Sequence, residues 1–340
     1  PDRRQTRGPA VNDLPASTPD QARAAAAPRL SVVATLYQSA AHVDEFMQRA
    51  IAAARAVAGD DYEIVLVNDG SPDDSLARAL AWCGREPRLS VIDLSRNFGH
   101  HKAMMTGMAH ARGERVFLID SDLEEEPEWL AAFTEQYERE GCDVVYGVQR
   151  SRKGGLVERV SGRLFYRYFH ALTGIDLPEN VVTARLMSRA YVEALVSHDE
   201  RELDIGGLQV ITGFDQRAQV VDKHSSSATT YTVGRKLALL VNSVTSFSSK
   251  PLVAIFYTGL VISLGAAANI AYLVALKLTV AAPLSGWTSV MASIWLLGGL
   301  VILFLGIIGI YLSKMFLEIK RRPYTIVRRI HGARADGRRP

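Results

Sequence analysis

Two long stretches without a charged residue lie near the C-terminal end of the sequence. They cover Leu252–Leu276 and Val290–Ser313, which are 25 and 24 residues long. At about 1.5 Å per helical residue each would span roughly 36 Å, more than a hydrocarbon core of about 30 Å. Buried helices of soluble proteins seldom run so far without a charge on any face. We therefore predict two transmembrane helices within residues 251–313.

Basic residues flank the outer ends of this pair of stretches, whereas the connector between them contains only Lys277. The positive-inside rule then places both chain ends at the cytoplasmic side of an inner membrane. Residues 314–340 hold nine Lys or Arg and two acidic residues. This basic cytoplasmic tail can lie against anionic headgroups. The alternative is a solvated terminus, which we expect for Ala333–Pro340. Residues 233–250 are predicted as a juxtamembrane helix, and residues 1–28, rich in Ala, Pro and Arg, as a disordered leader without a signal peptide.

The overall composition excludes several classes of protein. The chain has 340 residues, of which 48% are hydrophobic, so it has enough apolar material for a sizeable core. Its net charge is +3, a balance that argues against nucleic-acid binding. Cys83 and Cys142 are its two cysteines, too few for a disulfide framework or a cysteine metal cluster.

Between residues 29 and 232, short apolar runs alternate with stretches of helical periodicity. This alternation predicts an α/β domain with a mainly parallel sheet covered on both faces. The predicted strands are Leu30–Leu36, Glu63–Val67, Leu89–Leu94, Arg115–Ile119 and Asp143–Gly147. The predicted helices are Val43–Val57, one that starts at Pro72 with Ser71 as its N-cap, Lys102–Ala111 and Glu128–Glu140.

Two acidic clusters follow predicted strands: Asn68-Asp69, and Asp120-Ser121-Asp122 with Glu124 close behind. Ligands of parallel sheets bind beyond the carboxyl ends of the strands. Carboxylate oxygens suit Mg²⁺ or Mn²⁺, which also bind diphosphates, and an Asp at a strand end can accept a hydrogen bond from a nucleoside. The alternative is ordinary turns, in which Asp120 and Asp122 cap the next helix and Asp69 binds its own backbone.

Three further glutamates, Glu125, Glu126 and Glu128, come just before the predicted fourth helix. We expect them to be helix-start charges that interact with the helix dipole.

Residues 157–172 combine an apolar stripe with a basic stripe at helical spacing. The basic stripe is formed by Arg159, Arg163 and Arg167. Such a helix can lie in the bilayer interface and hold its arginines near lipid phosphates. The alternative is an amphipathic helix packed on the sheet.

Several motifs occur in one order: Asn68-Asp69-Gly70-Ser71, Arg96-Asn97-Phe98-Gly99, Asp120-Ser121-Asp122-Leu123-Glu124 and then the two apolar stretches. This order, over Leu30 to His331, resembles the family 2 glycosyltransferases that load a sugar onto a polyprenyl phosphate, the dolichyl-phosphate mannose synthase-like group. The resemblance implies a GT-A (nucleotide-diphospho-sugar transferase) fold with a Rossmann-like sheet. It also implies Mg²⁺ or Mn²⁺ and an inverting transfer from a nucleotide sugar, UDP-linked, to undecaprenyl phosphate at the cytoplasmic face. A homotetramer is one assembly that it allows.

The same resemblance assigns roles to individual residues. Tyr37, Asp69, Asn97 and Asp120 would bind the nucleotide, and Asp120, Asp122 and Glu124 the metal. Arg150 would approach the diphosphate, while Arg159, Arg163, Lys223 and His224 would face the lipid phosphate. Asp120, Asp122, Arg150 and Arg163 are thus the implied catalytic residues.

Three departures accompany these matches. Thr35-Leu36-Tyr37-Gln38-Ser39 stands where relatives often have Pro-x-Tyr-Asn-Glu, Glu124 where they often have Gln, and Thr183 where many have Asp. Thr183 cannot act as a base, but a lipid phosphate has a second pKa of about 6 and is already a dianionic nucleophile at neutral pH. A sugar hydroxyl would need a positioned base. We therefore favour a lipid phosphate acceptor over a glycan hydroxyl, and a transferase over an inactive nucleotide-binding membrane scaffold.

Overall fold

The structure is a computed structural model that describes residues 27–149, 166–201, 203–222, 241–279 and 286–333. The predicted leader, except for residues 27 and 28, falls outside these ranges. So do residues 157–165 of the predicted interfacial helix and the first part of the predicted juxtamembrane helix.

In the described residues we number eight strands and eight helices. The strands are β1 Leu30–Leu36, β2 Tyr62–Asn68, β3 Leu89–Leu94, β4 Arg115–Asp120, β5 Val144–Gln149, β6 Val181–Ser188, β7 Gln216–Val221 and β8 Val327–Gly332. The helices are α1 Val43–Ala58, α2 Ser75–Cys83, α3 His100–His110, α4 Trp129–Glu140, α5 Arg189–Val196, α6 Ile205–Ile211, α7 Lys250–Thr279 and α8 Trp287–Ile319. Residues 166–173 and Val241–Phe247 are also helical.

All eight strands form one sheet in the order β7-β5-β6-β4-β1-β2-β3-β8. Strand β6 runs antiparallel to β4 and β5, and β8 runs antiparallel to β3, while the other pairings are parallel. The predicted α/β class with a mainly parallel sheet is therefore confirmed. The carboxyl ends of β1, β2, β3, β4, β5 and β7 share one edge of the sheet.

Apolar clusters cover both faces of the sheet, which explains why the central strands are continuously apolar. Along β1, Val32 and Ala34 belong to one cluster and Val33 to the other. Helices α1 and α4 pack on the first face, and α3 packs on the second. Helix α3 approaches β1 closely because Gly107 has no side chain: a Cβ there would lie 2.5 Å from Cγ1 of Val33.

The predicted start of the second helix is wrong. Helix α2 begins at Ser75, and Asp74 precedes it without capping it through its side chain. Ser71 Oγ instead donates to Asp73 (2.5 Å) and accepts from the backbone N of Gln38 (2.7 Å). Ser71 therefore joins the loop after β2 to the loop after β1.

For Val327–Gly332, the expectation that the basic tail lies against lipid headgroups is wrong. Strand β8, part of that tail, pairs with β3 from Ser90–Gly332 to Leu94–Val327. An Arg328 Nη atom lies 3.2 Å from Asp93 Oδ2 on β3. Strand β8 thus forms the β3 edge of the sheet.

Both predicted apolar helices are present in the described residues, and both are longer than predicted. Within α8, Leu296–Ile319 is long and apolar enough to cross a membrane, with a mean hydropathy of 2.5. A second span depends on whether Val241–Phe247 and Lys250–Ala266, which meet at 91°, form one bent span. The described part of the chain therefore supports one membrane span, and two if the bent pair counts.

Polar contacts join α8 to Ser248, just before α7 begins at Lys250, and to the α/β domain. Tyr311 donates to the carbonyl of Ser248 (2.6 Å), and Glu318 accepts from the backbone N of Arg201 (2.7 Å). The α8 helix is therefore attached to the domain at its C-terminal end, close to where β8 follows.

Candidate active site

The two acidic motifs flank the end of β1 at the carboxyl edge of the sheet. Thr35 of β1 is paired in register with Asp120 of β4, and Leu36 is paired with Asn68 of β2. The fold therefore brings both predicted acidic clusters to neighbouring strand ends.

Asp120 is held by a side chain at each carboxylate oxygen. Its Oδ1 lies 3.2 Å from His100 Nε2, and its Oδ2 accepts a 2.8 Å hydrogen bond from Thr183 Oγ1. The Asp120 side chain is 18% exposed, so it remains accessible from the edge. Thr183, noted in the sequence as a departure, thus contacts the acidic motif directly.

His100 is a site residue that the sequence analysis missed. It is the first residue of α3, and its Nδ1 lies 3.0 Å from Thr35 Oγ1. Burial lowers the pKa of His100, but the hydrogen bond to Asp120 and the charges of Asp120, Glu125 and Asp69 raise it, and the net shift is upward. The available signal was its position directly after the Arg96–Gly99 motif.

A tight turn follows Asp120 and separates the next carboxylates. Ser121 Oγ donates to the carbonyl of Thr35 (2.7 Å), and Asp122 Oδ1 accepts from the backbone N of Glu124 (3.0 Å). Leu123 adopts a left-handed conformation with φ of 60°. Asp122 remains exposed at the edge, and Glu124 is half-buried.

Glu125 is turned inward, contrary to the expectation that it is a helix-start charge. Its side chain is fully buried, and its Oε1 accepts a 2.8 Å hydrogen bond from the backbone N of Thr183. Arg185, on the same strand as Thr183, is also buried, and burial lowers its pKa while the nearby Tyr191 and Glu125 oppose that shift. Burial of these two residues had no local signal, because both belong to types that are usually exposed.

Asp69 fixes the loop that precedes α3. Its side chain is 1% exposed; Oδ1 accepts from Phe98 N (2.7 Å) and Oδ2 from Gly99 N (3.0 Å). Burial raises the pKa of Asp69, although these two hydrogen bonds act in the opposite direction. Gly70 has a φ of 60°, and a Cβ there would overlap the backbone of Arg96. The Asp69 carboxylate thus binds the backbone of a distant loop rather than that of its own turn, and a nucleoside contact stays a prediction.

The other nucleotide-site candidates lie at the same edge. The Tyr37 side chain follows β1 and is 48% exposed, so its ring is accessible to a ligand. Asn97 is exposed in the loop held by Asp69, next to Arg96, whose guanidinium lies 4.1 Å from the Phe98 ring centroid. Their roles in nucleotide binding stay predictions.

The remaining candidates, Arg150, Arg159, Arg163, Lys223 and His224, lie outside the described residues. The end of the predicted interfacial helix is described. There Phe169 is fully buried, and its ring centroid lies 6.4 Å from that of Phe247. This end of the helix packs against protein, whereas Tyr168 is exposed.

The oxygen donors at the edge fit a divalent cation whose coordination a substrate completes. Within the described ranges, no group of three or more His, Cys, Asp or Glu is arranged to hold a metal ion. Mg²⁺, however, is commonly bound by one or two carboxylates together with substrate phosphates and water. Asp120 and Asp122 offer such a carboxylate set.

Comparison with known proteins gives consistent matches. Residues 31–196 match the model of glycosyl transferase family 2. A Mycobacterium tuberculosis protein named among glycosyltransferases is 50% identical over 312 residues, covering 92% of this chain and 91% of the relative. The bactoprenol glucosyl transferase of Shigella phage SfII is 31% identical over 276 residues, covering 80% and 88%. The solved structure of M. tuberculosis glucosyl-3-phosphoglycerate synthase with UDP is 20% identical, covers 68% and 85%, and has a TM-score of 0.42.

Proposed function

The chain belongs to glycosyltransferase family 2, and from this membership we propose that it transfers a sugar from a UDP-linked donor to a polyprenyl phosphate at the cytoplasmic face of a membrane. Its relatives make it a glycosyltransferase. We also propose that its α/β domain has a GT-A fold.

The observation that carries the proposal is the short connection between α8 and the catalytic sheet. Helix α8 ends at Ile319, and β8 begins at Val327. A fully extended chain advances at most about 3.6 Å per residue, so residues 320–326 reach roughly 25 Å. A membrane-crossing α8 would therefore hold the β3 side of the sheet near the membrane surface. A site near the membrane surface can be reached by the phosphate of a lipid acceptor.

The named relatives support the same acceptor. The matched phage protein is called a bactoprenol glucosyl transferase, and 80% of this chain aligns with it. A polyprenyl phosphate of that kind stays in the bilayer and presents its phosphate at the surface.

The proposed reaction does not require a protein residue that acts as a general base. A phosphate oxygen of the lipid attacks the anomeric carbon, the bond from that carbon to the β-phosphate oxygen breaks, and UDP leaves. The acceptor phosphate is already dianionic, so alignment and stabilisation of the leaving group are the main requirements. Thr183, which donates to Asp120, has no base function in this scheme.

Residues of the chain would bind the donor nucleotide, the cation and the lipid phosphate. Asp69 holds the Arg96–Gly99 loop, and Tyr37 offers an exposed ring for the base. Asp120 and Asp122 would hold the cation together with the donor diphosphate. That cation, when bound, would neutralise the charge that develops on the leaving UDP. Arg163 stays the predicted contact for the lipid phosphate.

The test uses the purified full chain in lipid nanodiscs with MgCl₂ or MnCl₂. A panel of UDP-sugars, with GDP-mannose for comparison, is offered with undecaprenyl phosphate, and lipid products are read by mass. Undecaprenol, which lacks the phosphate, is the matched control acceptor. A product of undecaprenyl phosphate plus one sugar is expected. Transfer only to an added glycan, or to undecaprenol as readily as to its phosphate, would contradict the proposed acceptor.

A further inference from the structure

The pairing of β4 with β6 stops just before the acidic motif. The two antiparallel strands are in register from Arg115–Ser188 to Leu118–Arg185. Two residues further along, the same register would place Thr183 opposite Asp120. At this point a hydrogen bond to a side chain takes the place of backbone pairing between the strands. The backbone N of Thr183 donates to Glu125 Oε1 at 2.8 Å.

The Thr183 hydroxyl sets one end of the Asp120 carboxylate. An ionised carboxylate can only accept hydrogen bonds, so Thr183 Oγ1 is the donor in the 2.8 Å contact with Asp120 Oδ2. Hydrogen bonds to a charged acceptor are stronger than neutral ones. With His100 at Oδ1, both oxygens of Asp120 are held from the sides.

Glu125 in turn fixes Thr183. A buried carboxylate is costly unless it is hydrogen-bonded or paired, and Glu125 is both bonded to Thr183 N and near the buried Arg185. Leu123, two residues before Glu125, has a left-handed backbone conformation, and the Glu125 side chain is fully buried. One residue, Thr183, therefore links a buried carboxylate to the accessible one.

We propose that Thr183 is a positioning residue that, held by Glu125, orients the Asp120 carboxylate toward the divalent cation of the donor complex. This inference rests on the proposed function for the presence of that cation. Partners that orient metal ligands typically change metal affinity or activity by about 10–100-fold when they are removed.

The experiment measures Mn²⁺ affinity by electron paramagnetic resonance on the full chain, with and without UDP, beside the rate of UDP release. Thr183→Val removes the hydroxyl but keeps the shape, and we expect Mn²⁺ to bind roughly 10–100-fold more weakly. Thr183→Ser keeps the hydroxyl and should restore the affinity. Thr134→Val is the matched control, because the buried Thr134 hydroxyl bonds only a carbonyl of its own helix, Leu130 O.

Thermal unfolding of each variant separates a local effect from a loss of fold. The inference is overturned if Thr183→Val binds Mn²⁺ within about twofold of the wild type, if Thr183→Ser is as weak as Thr183→Val, or if the wild type binds no Mn²⁺. A wild type that binds Mn²⁺ but never glycosylates a lipid phosphate contradicts the proposed acceptor alone.

Discussion

The Nε2 atom of His100 lies 3.2 Å from Oδ1 of Asp120, so the first residue of α3 contacts the last residue of β4. His100 directly follows the loop whose backbone N atoms, at Phe98 and Gly99, are bound by Asp69. The two acidic motifs are therefore linked through this loop and the His100 ring. We therefore expect a substitution of Asp69 to alter the position of the His100 ring beside the Asp120 carboxylate.

Removal of the His100 ring should weaken catalysis without unfolding the chain. His100→Ala leaves Oδ1 of Asp120 without its imidazole contact, and we expect kcat/KM for UDP release to fall about 10–100-fold. His110→Ala is the matched control, because His110 ends the same helix and contacts Thr106 O instead. Equal activity of the two variants would show that the His100 contact has no catalytic importance.

Asp69→Asn should destabilise the chain as well as weaken UDP binding. The amide has one acceptor oxygen, so its NH₂ group would face one of the two backbone N–H donors that the carboxylate now accepts. A buried unsatisfied group costs about 1–3 kcal/mol of unfolding free energy. Chemical denaturation of the detergent-solubilised protein and UDP titration measure the two effects.

The control for Asp69→Asn is Asp61→Asn, at an exposed residue just before β2. It should leave both quantities unchanged. An Asp69→Asn variant with wild-type unfolding free energy would contradict the anchoring role, and one with wild-type UDP affinity would contradict the predicted nucleotide site.

The first five strands were predictable because each is a short apolar run buried on both faces. Strands β6, β7 and β8 were not predicted. Gln216–Val221 contains three polar residues and is mostly half-buried or exposed, so it lacks the signal of a buried strand. Val327–Gly332 contains Arg328, Arg329 and His331, so its composition is that of a basic tail. Edge strands of this kind are defined by their pairing partners rather than by their own hydrophobicity.

At the site, the sequence located the acidic motifs but not the contacts between them. Strand ends are set by local pattern, so Asp69 and Asp120 could be placed at one edge. The inward turn of Glu125 depends on the left-handed Leu123 and on Thr183, 58 residues away from Glu125 along the chain. His100 reaches Asp120 only through the packing of α3. The motif before His100 indicated that it lies near the site, but long-range contacts such as these leave no local signal of the partner residue.

Asp122→Ala should abolish metal-dependent release of UDP. The change removes one of the two carboxylates proposed to hold the cation, whose effect on the leaving group is worth several kcal/mol, so a loss of at least about 100-fold is expected. UDP release is measured over a series of Mn²⁺ concentrations, with Asp61→Ala as the exposed control. Full activity of Asp122→Ala at low Mn²⁺ would reject the metal role of Asp122.

The contact between β8 and β3 should contribute measurably to stability. An Nη atom of Arg328 lies 3.2 Å from Oδ2 of the buried Asp93, and the other Nη donates to Ser95 O (2.7 Å). Arg328 is more than half exposed, so Arg328→Ala should lower the unfolding free energy by only about 1 kcal/mol. Arg322→Ala removes another exposed guanidinium and should have no effect. Equal stability of both variants would show that the Arg328 contacts do not hold the strand.

Helix α8 should tolerate no charge at its centre if it crosses a bilayer. Ile302 lies in the span Leu296–Ile319, and its side chain is 72% exposed, so lipid would be its main surroundings. An Asp at a helix centre opposes insertion by about 2.5–3.5 kcal/mol, whereas Ile favours it. After a carbonate wash, we therefore expect much less Ile302→Asp protein than wild-type protein in the membrane fraction. The Ile302→Leu protein should be retained at the wild-type level. On the surface of a soluble protein, Ile302→Asp would instead be harmless or improve solubility, so equal retention of both variants would contradict the span and the membrane location of the site.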